Sequence, residues 1–249
     1  MSGHNRWTKI KRQKEALGAT KGALFTKVIK EITIAAREGG GDPEANARLR
    51  AAIQSAKDGN LPKDNIERAI KKGTGELEGV DYEEISYEGY GPAGIALLVE
   101  CVTDNRNRTA GDVRQLFKKG GGNLAESGSV AWMFEHKALM ELPKTGLSEE
   151  QAMELAIEAG AEDVVDAGEA WEVQAGSTDF HTVLTGLEGL GQQPQEARLA
   201  WLPKNTVKIA GEEARKVLRL VSLLEDCDDV QNVFANFDID DEEMESLAE

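Results

Sequence analysis

Positive side chains are concentrated in the first 30 residues of a chain whose overall charge is −16. Residues 4–30 contain eight Lys or Arg and one Glu. Such groups bind phosphate by charge and hydrogen bonding, and the affinity gained does not depend on base sequence. Within about three helical turns lie the candidates Arg6, Lys9, Lys11, Arg12 and Lys14. This segment therefore predicts a contact site for a nucleic acid backbone.

Trp7 lies among these cations and has two interpretations. Its ring could stack on a nucleic acid base. Alternatively, it packs with Ile10 and holds the basic segment against a helical core. The sequence leaves both interpretations open, and the lysines of the segment are compatible with either.

Arg106 and Arg108 form a second candidate anion site, where a predicted buried strand meets a predicted helix. Asn105 is suited to cap that helix, and a helix amino terminus beside guanidinium groups attracts phosphate. The alternative is that the arginines pair with nearby carboxylates and simply order the turn. The candidate partners for such pairs are Asp104, Asp112 and Glu100.

The charge is divided unevenly along the chain. Residues 1–75 contain 16 Lys or Arg and 8 Asp or Glu, a net charge of +8, and the remaining residues carry −24. This asymmetry predicts a polyanion-binding module attached to an acidic body. A solvated Lys/Arg surface without a ligand would have the same composition.

No catalytic or metal-binding constellation is apparent in the sequence. His4, His136 and His181 lack the spacing of a zinc site, and Cys101 and Cys227 have no CxxC partner. We therefore expect a protein that is not an enzyme and needs no cofactor, metal or small molecule. The first residues lack the apolar region of a signal peptide, and no apolar run is long enough to span a bilayer. These features predict a cytoplasmic protein without a membrane partner.

Hydrophobic spacing predicts that residues 1–78 form a basic helical bundle. The first long helix is expected to end at the three glycines of residues 39–41, and Asp42 and Pro43 are expected to start the next one. The cations at residues 71–72 are expected to complement the carboxyl end of a third helix. The bundle includes a pair of helices that resembles a helix-turn-helix.

The rest of the chain changes to the spacing of strands. Residues 79–136 read as ββαβ, with "VAWMF" as the third strand, and residues 137–203 read as βαββαβ, the ferredoxin-like order. A final helix and strand have no place in that six-element unit, so it is predicted to be inserted in a discontinuous domain formed by 79–136 and 204–249. Residues 238–249 are expected to be a frayed, charged tail. The predicted fold class is α+β, with an amino-terminal helical bundle and two α/β-sandwich domains.

Seven motifs occur in order along nearly the whole chain. They are "GH-x-x-W-x-x-I-K", "LFTKVIKEITIAAREGGGDPEANARLRAAI", "LPKDNIERAIKKG", "YEGYGPAGIALLVECVTDNRNRT", "GGNLAESGSVAWMF", "AGAEDV" and "LEDCDDVQNVFANF". In these motifs the sequence closely resembles the YebC/PmpR family. The resemblance implies a cytoplasmic three-domain protein described as a DNA-binding transcriptional regulator. Relatives include a mitochondrial translational activator and bacterial ribosome-associated factors that relieve stalling at proline runs.

The resemblance also extends the set of candidate nucleic-acid-binding residues. The basic amino-terminal helix of the family corresponds in this sequence to the five cations from Arg6 to Lys14 and, beyond them, to Lys21, Lys27 and Lys30. The sequence departs from the family pattern D-A-K-R-G-K at residues 18–23, where Thr20 and Ala23 stand in place of cations. Weaker affinity for phosphate is implied.

These observations favour a non-enzymatic, nucleic-acid-binding regulator of gene expression that acts on DNA. A ribosome-associated translation factor that binds ribosomal RNA is the alternative. Two hypotheses come from other classes. One is an enzyme with an anion pocket between residues 90–92 and the Arg106–Arg108 turn, and the other is a scaffold whose acidic unit binds a basic protein.

Overall fold

The computed structural model describes residues 21–248, and these form two compact units. One unit is the continuous segment Glu135–Leu202. The other contains the described residues on either side of that segment. The predicted division of this second unit at residue 78 stays a prediction.

Three helices form the amino-terminal part of the described chain. They are α1 (Lys21–Gly39), α2 (Ala47–Asp58) and α3 (Lys63–Gly73). Their apolar side chains recur three and four positions apart, so each helix presents one apolar face to the others. The buried cluster consists of Ile32, Ala35, Ala36, Leu49, Ala52, Ala56, Leu61, Ile66 and Ala69. The helical bundle predicted from this spacing is therefore present in the structure.

The predicted start of the second helix at Asp42 is wrong. Its amino-terminal cap is Asn46, whose Oδ1 accepts the backbone N–H of Leu49 at 3.0 Å. The Nδ2 of Asn46 also donates to the carbonyl oxygen of Ala35 at 2.7 Å. Asp42 instead accepts the N–H of Glu44 in the preceding turn. Asn46 displaces Asp42 as the cap because its amide satisfies groups of α1 and α2 at once.

An antiparallel sheet and two helices form the middle of the second unit. The elements are β1 (Glu83–Tyr90), β2 (Ala96–Thr103), α4 (Arg106–Lys119), β3 (Asn123–Leu124), α7 (Gly211–Glu225) and β9 (Val230–Ala235). The strand order is β3-β1-β2-β9, so the last strand returns to the sheet as predicted. Strand β2 lies at the centre, and Leu97 and Leu98, on its opposite faces, are both buried. This matches its continuous apolar sequence.

The segment "VAWMF" is not a strand, and that prediction is wrong. Residues 131–133 form a short 3₁₀ turn, and β3 lies earlier in the chain. The cause is Glu88, whose carboxylate accepts three backbone N–H groups of residues 128–131. Those donors are consequently not available to a strand ladder.

The unit Glu135–Leu202 has the ferredoxin-like topology. Its elements are β4 (Phe134–Pro143), α5 (Glu149–Glu158), β5 (Asp163–Asp166), β6 (Ala170–Gly176), α6 (Phe180–Gly189) and β7 (Glu196–Pro203). The sheet order β5-β6-β4-β7 places the first strand between the third and the fourth. Together with the returning strand β9, this confirms the predicted α+β fold with an inserted ferredoxin-like unit.

The carboxyl-terminal residues are not a frayed tail, which corrects the prediction. Short strands β8 (Val207–Lys208) and β10 (Phe237–Asp238) pair in parallel, and helix α8 (Asp241–Ala248) follows. Met244 of α8 is fully buried in the same core as Leu220 and Phe237. The many acidic residues of this segment suggested a solvated tail, but a short apolar face among them packs on the core.

Candidate nucleic-acid interface

Most of the predicted phosphate-binding residues fall outside the described part of the chain. These are Arg6, Trp7, Lys9, Lys11, Arg12 and Lys14. Lys21 is the first residue of α1. Of the residues predicted from the basic amino-terminal helix, Lys27 and Lys30 have described side chains.

Lys30 points into the protein. It is 5% exposed, and its Nζ donates to Asp229 Oδ1 at 2.6 Å, to the carbonyl oxygen of Asp228 at 2.9 Å and to that of Val102 at 3.1 Å. An ammonium group has three donors, so none remains for a phosphate. Lys27 likewise donates to the carbonyl oxygen of Glu225. We therefore leave Lys30 out of the interface proposed below.

Asp229 is the centre of this buried network. Its Oδ2 accepts hydrogen bonds from Thr109 Oγ1 at 2.8 Å and from Arg108 Nη2 at 2.9 Å. Burial alone would raise the pKa of Asp229, but hydrogen bonds from Lys30, Arg108 and Thr109 outweigh it and lower the pKa to about 2. The carboxylate is charged at neutral pH and joins α1 to the residues around β2, α4 and β9.

Arg108 pairs with carboxylates of the protein, as in the alternative in which the arginines order the turn. Its Nη2 lies 2.7 Å from Asp104 Oδ1 and 2.9 Å from Asp229 Oδ2. The hydrogen bond to Asp229 is the main reason that the pKa of Arg108 is raised. Arg106 differs, because it is largely exposed and lies 3.7 Å from Glu83. The two arginines therefore do not converge on one anion.

An open cleft of about 680 Å³ adjoins Arg106. Its lining residues are Glu83, Ile85, Tyr87, Asp104, Asn105, Arg106, Asn107 and Ala110. The two carboxylates in this lining oppose the binding of an anion, and its described residues include no Ser, Cys, His or Lys that could act as a nucleophile. The geometry gives no support to the hypothesis of an anion-pocket enzyme.

Arg48 forms a second connection between the helices and the sheet, and the sequence analysis missed it. Its Nε lies 2.7 Å from Glu31 Oε1 on α1, and its Nη1 lies 2.7 Å from Glu38 Oε2. Its Nη2 contacts Glu84 on β1. Burial alone would lower the pKa of Arg48, but its bonds to Glu31 and Glu84 raise it. No local sequence signal identifies a partner 36 positions away.

The outward face of α3 carries cations of a different kind. Arg68 and Lys71 are exposed on the side of the helix opposite the buried Ile66 and Ala69, and the exposed Lys72 lies beside them. None of these three side chains has a hydrogen bond or ion pair with another residue in the range 21–248. The sequence interpretation treated residues 71–72 only as helix-end cations. Their positions in the helix relative to the apolar Ile66 and Ala69 are the sequence signal that could have identified this exposed basic face.

The described residues also bear on the requirements of a metal site and of a membrane-spanning helix. Across residues 21–248, no group of His, Cys, Asp and Glu side chains is arranged to hold a metal ion. In the same range, no helix combines the length and the apolar composition needed to cross a bilayer.

Comparison with known proteins places the whole chain in one family. Residues 5–76 match the family model described as "TACO1/YebC protein N-terminal domain", and residues 82–237 match "TACO1/YebC second and third domain". A protein of Myxococcus xanthus (strain DK1622), named "Probable transcriptional regulatory protein", is 57% identical over 248 residues, covering 99% of each chain. A Geobacter sulfurreducens protein whose name begins with the same words is 56% identical over 247 residues, or 99% of this chain and 100% of the relative.

A solved structure shows the same fold. The crystal structure of a conserved hypothetical protein from Aquifex aeolicus is similar with a TM-score of 0.80 and 50% sequence identity. The similarity covers 90% of this chain and 92% of the Aquifex chain. The resemblance found in the sequence motifs is thereby confirmed, and the chain belongs to the TACO1/YebC family.

Proposed function

We propose that this protein is a non-enzymatic regulator of gene expression that binds nucleic acid in the cytoplasm through its basic helical residues. The names of its relatives support a regulatory role. The observation that carries the proposal is the outward face of α3, where Arg68, Lys71 and Lys72 are exposed and unpaired among the described residues.

The inward and outward cations differ in whether the protein already compensates their charge. Lys30 and Arg108 are held by Asp229, so their charge is already compensated within the protein. Arg68 and Lys72 have no such carboxylate among the described residues. Uncompensated cations on one helix face are the groups that exchange counterions for phosphates.

The charge of the remaining chain supports the same orientation. Residues 1–75 carry +8, and the rest of the chain carries −24. A polyanion is attracted to the helical part and repelled by most of the rest, which disfavours wrong orientations of the complex. The amino-terminal candidates from Arg6 to Lys14 lie outside the described residues, and their charge adds to the positive total of this part of the sequence.

Contacts of this kind hold a nucleic acid without reading its sequence. The relatives' names lead us to place DNA first as the target. Ribosomal RNA offers the same phosphate chemistry, so a ribosome-associated translation factor is the alternative that the same surface would serve.

The test is the salt dependence of binding by the full-length protein. Fluorescence anisotropy with a duplex DNA and with a structured RNA gives the binding constant at several salt concentrations. If about six phosphates are neutralised, the log–log slope for the duplex is about −5. Binding that does not change with salt contradicts the proposal.

Sedimentation of a cell lysate on a gradient separates the two targets. Comigration with ribosomal particles that is lost when the five Lys and Arg residues from Arg6 to Lys14 are changed to Gln supports the ribosomal alternative. Migration with free protein, combined with salt-dependent binding to DNA, supports the transcriptional one.

A further inference from the structure

A tryptophan and a tyrosine are exposed beside the loop that follows β3. Trp132 is 66% exposed, and its Nε1 donates to the carbonyl oxygen of Ser129 at 3.0 Å. Tyr90 is 38% exposed, and its hydroxyl donates to the same oxygen at 3.1 Å. Both aromatic side chains are thus connected to one backbone carbonyl, which restricts the orientation of their rings.

The loop that carries Trp132 is itself fixed by a buried carboxylate. Glu88 is 6% exposed, and it accepts backbone N–H groups of Gly128 at 2.7 Å, Val130 at 2.6 Å and Ala131 at 2.8 Å. Burial alone would raise the pKa of Glu88, but these three hydrogen bonds lower it. The loop is therefore organised before any ligand arrives, which reduces the entropy cost of binding.

A cation lies next to the tryptophan. The Nζ of Lys204 donates to the carbonyl oxygen of Trp132 at 3.0 Å. The backbone N–H of Lys204 donates to the carbonyl oxygen of Met133 at 2.9 Å. The side chain of Lys204 is exposed, and its other ammonium donors have no acceptor within residues 21–248. They are available to an anionic group next to the backbone of Trp132.

This combination suits a flat, anionic ligand. The indole N–H and the phenol O–H are already used within the protein, so the ligand-facing surface offers ring faces and one ammonium group. Stacking of a base on such a face needs no hydrogen bond and tolerates any base. An apolar protein side chain that covered Trp132 would by itself leave the ammonium of Lys204 without an anionic partner, whereas a nucleotide supplies a ring and a phosphate together.

We propose that Trp132, Tyr90 and Lys204 bind an unpaired nucleotide of a single-stranded nucleic acid, with the base on the exposed ring of Trp132, Tyr90 beside it and a phosphate at the ammonium group of Lys204. This site is additional to the outward face of α3. A duplex keeps its bases stacked inside, so it can bind α3 without entering the aromatic site. The two sites can therefore be tested separately.

The experiment measures binding of the full-length protein to short oligouridylate and to duplex DNA. Trp132→Ala is expected to weaken oligouridylate binding by about 5-fold to 100-fold, because the stacking of one base is removed. Duplex binding is expected to change by less than about 2-fold, since phosphate contacts on α3 remain. Ile157→Ala removes an apolar side chain that is also 66% exposed, and it should change neither affinity.

Two conservative variants refine the result. Trp132→Phe keeps an aromatic face and should retain most of the oligouridylate affinity. In the wild type, oligouridylate should quench the part of the tryptophan fluorescence that disappears in Trp132→Phe. Tyr90→Phe keeps the ring and removes only its hydrogen bond to Ser129, so its effect should be smaller than that of Trp132→Ala.

The proposal is overturned if Trp132→Ala leaves oligouridylate affinity unchanged, as it would if this surface binds a protein instead. It is also overturned if the variant weakens oligouridylate and duplex binding equally. Failure of the α3 proposal has a different signature, which is duplex binding that does not respond to salt.

Discussion

The helices of the second unit carry two kinds of cation that the sequence does not distinguish. On the side of the helices that faces the sheet, Lys30 and Arg48 end on carboxylates and carbonyl groups of the protein. On the outward face of α3, Arg68, Lys71 and Lys72 end in solvent. Whether a cation can bind phosphate therefore depends more on the groups around it than on its presence in a basic segment.

The largest expected effect is on the free energy of unfolding, when the buried ion pair between Lys30 and Asp229 is removed. Lys30→Ala leaves Asp229 buried without its closest partner, and the loss of a partner from a buried pair costs about 3 to 5 kcal/mol. Urea unfolding should show this as a lower midpoint with an unchanged slope. Lys63→Ala, at a side chain 86% exposed, is the matched control and should change stability by less than about 0.5 kcal/mol. A Lys30 variant as stable as this control would contradict the network.

The pH dependence of stability sharpens the role of Asp229. Its folded pKa, about 2, lies below the ordinary value of 3.8. The group therefore stabilises the fold above about pH 4, and that contribution is lost as the pH falls towards 2. The shift corresponds to about 2 kcal/mol. Unfolding curves at several pH values should show this loss in the wild type and lack it in Asp229→Asn, and parallel curves for the two proteins would contradict the assignment.

The connection through Arg48 is expected to be weaker. A double-mutant cycle with Arg48→Gln and Glu84→Gln should give a coupling free energy of about 1 kcal/mol, because both side chains are partly exposed. The same cycle between Arg48 and Glu44, a carboxylate with no bond to Arg48 in the structure, serves as the control. Equal coupling in the two cycles would show that the contact with Glu84 has no specific contribution.

The folding pattern could be predicted where it depends on local spacing. The helical stripe of Ile32, Ala35 and Ala36 and the strand order of the inserted unit both follow from periodicity and sequence order. The cap at Asn46 could not be chosen over Asp42, because the choice depends on a carbonyl of the preceding helix. In the same way, "VAWMF" reads as a strand until Glu88 is seen to hold the backbone before it.

The candidate site was harder to predict for a related reason. Lys30 and Asp229 are 199 positions apart, so nothing near Lys30 in the sequence shows that its charge is used inside the protein. Arg48 and Glu84 present the same difficulty across a shorter separation. Arg68 and Lys71 could have been recognised, because their helical positions alone place them opposite Ile66 and Ala69, with Lys72 beside them.

The most direct test of the account compares the salt dependence of duplex DNA binding in two variants with equal charge change. The first neutralises the outward face of α3 with Arg68→Gln, Lys71→Gln and Lys72→Gln. The second neutralises exposed cations of the same types on α4, with Arg114→Gln, Lys118→Gln and Lys119→Gln.

We expect the α3 variant to bind more weakly, with a log–log salt slope smaller in magnitude by up to about 3, or about 0.9 for each phosphate that the protein no longer neutralises. The α4 variant should keep the slope of the wild type. Equal slopes in the wild type and the α3 variant, or equal reductions of affinity in the two variants, would contradict the central claim that the outward face of α3 binds nucleic acid.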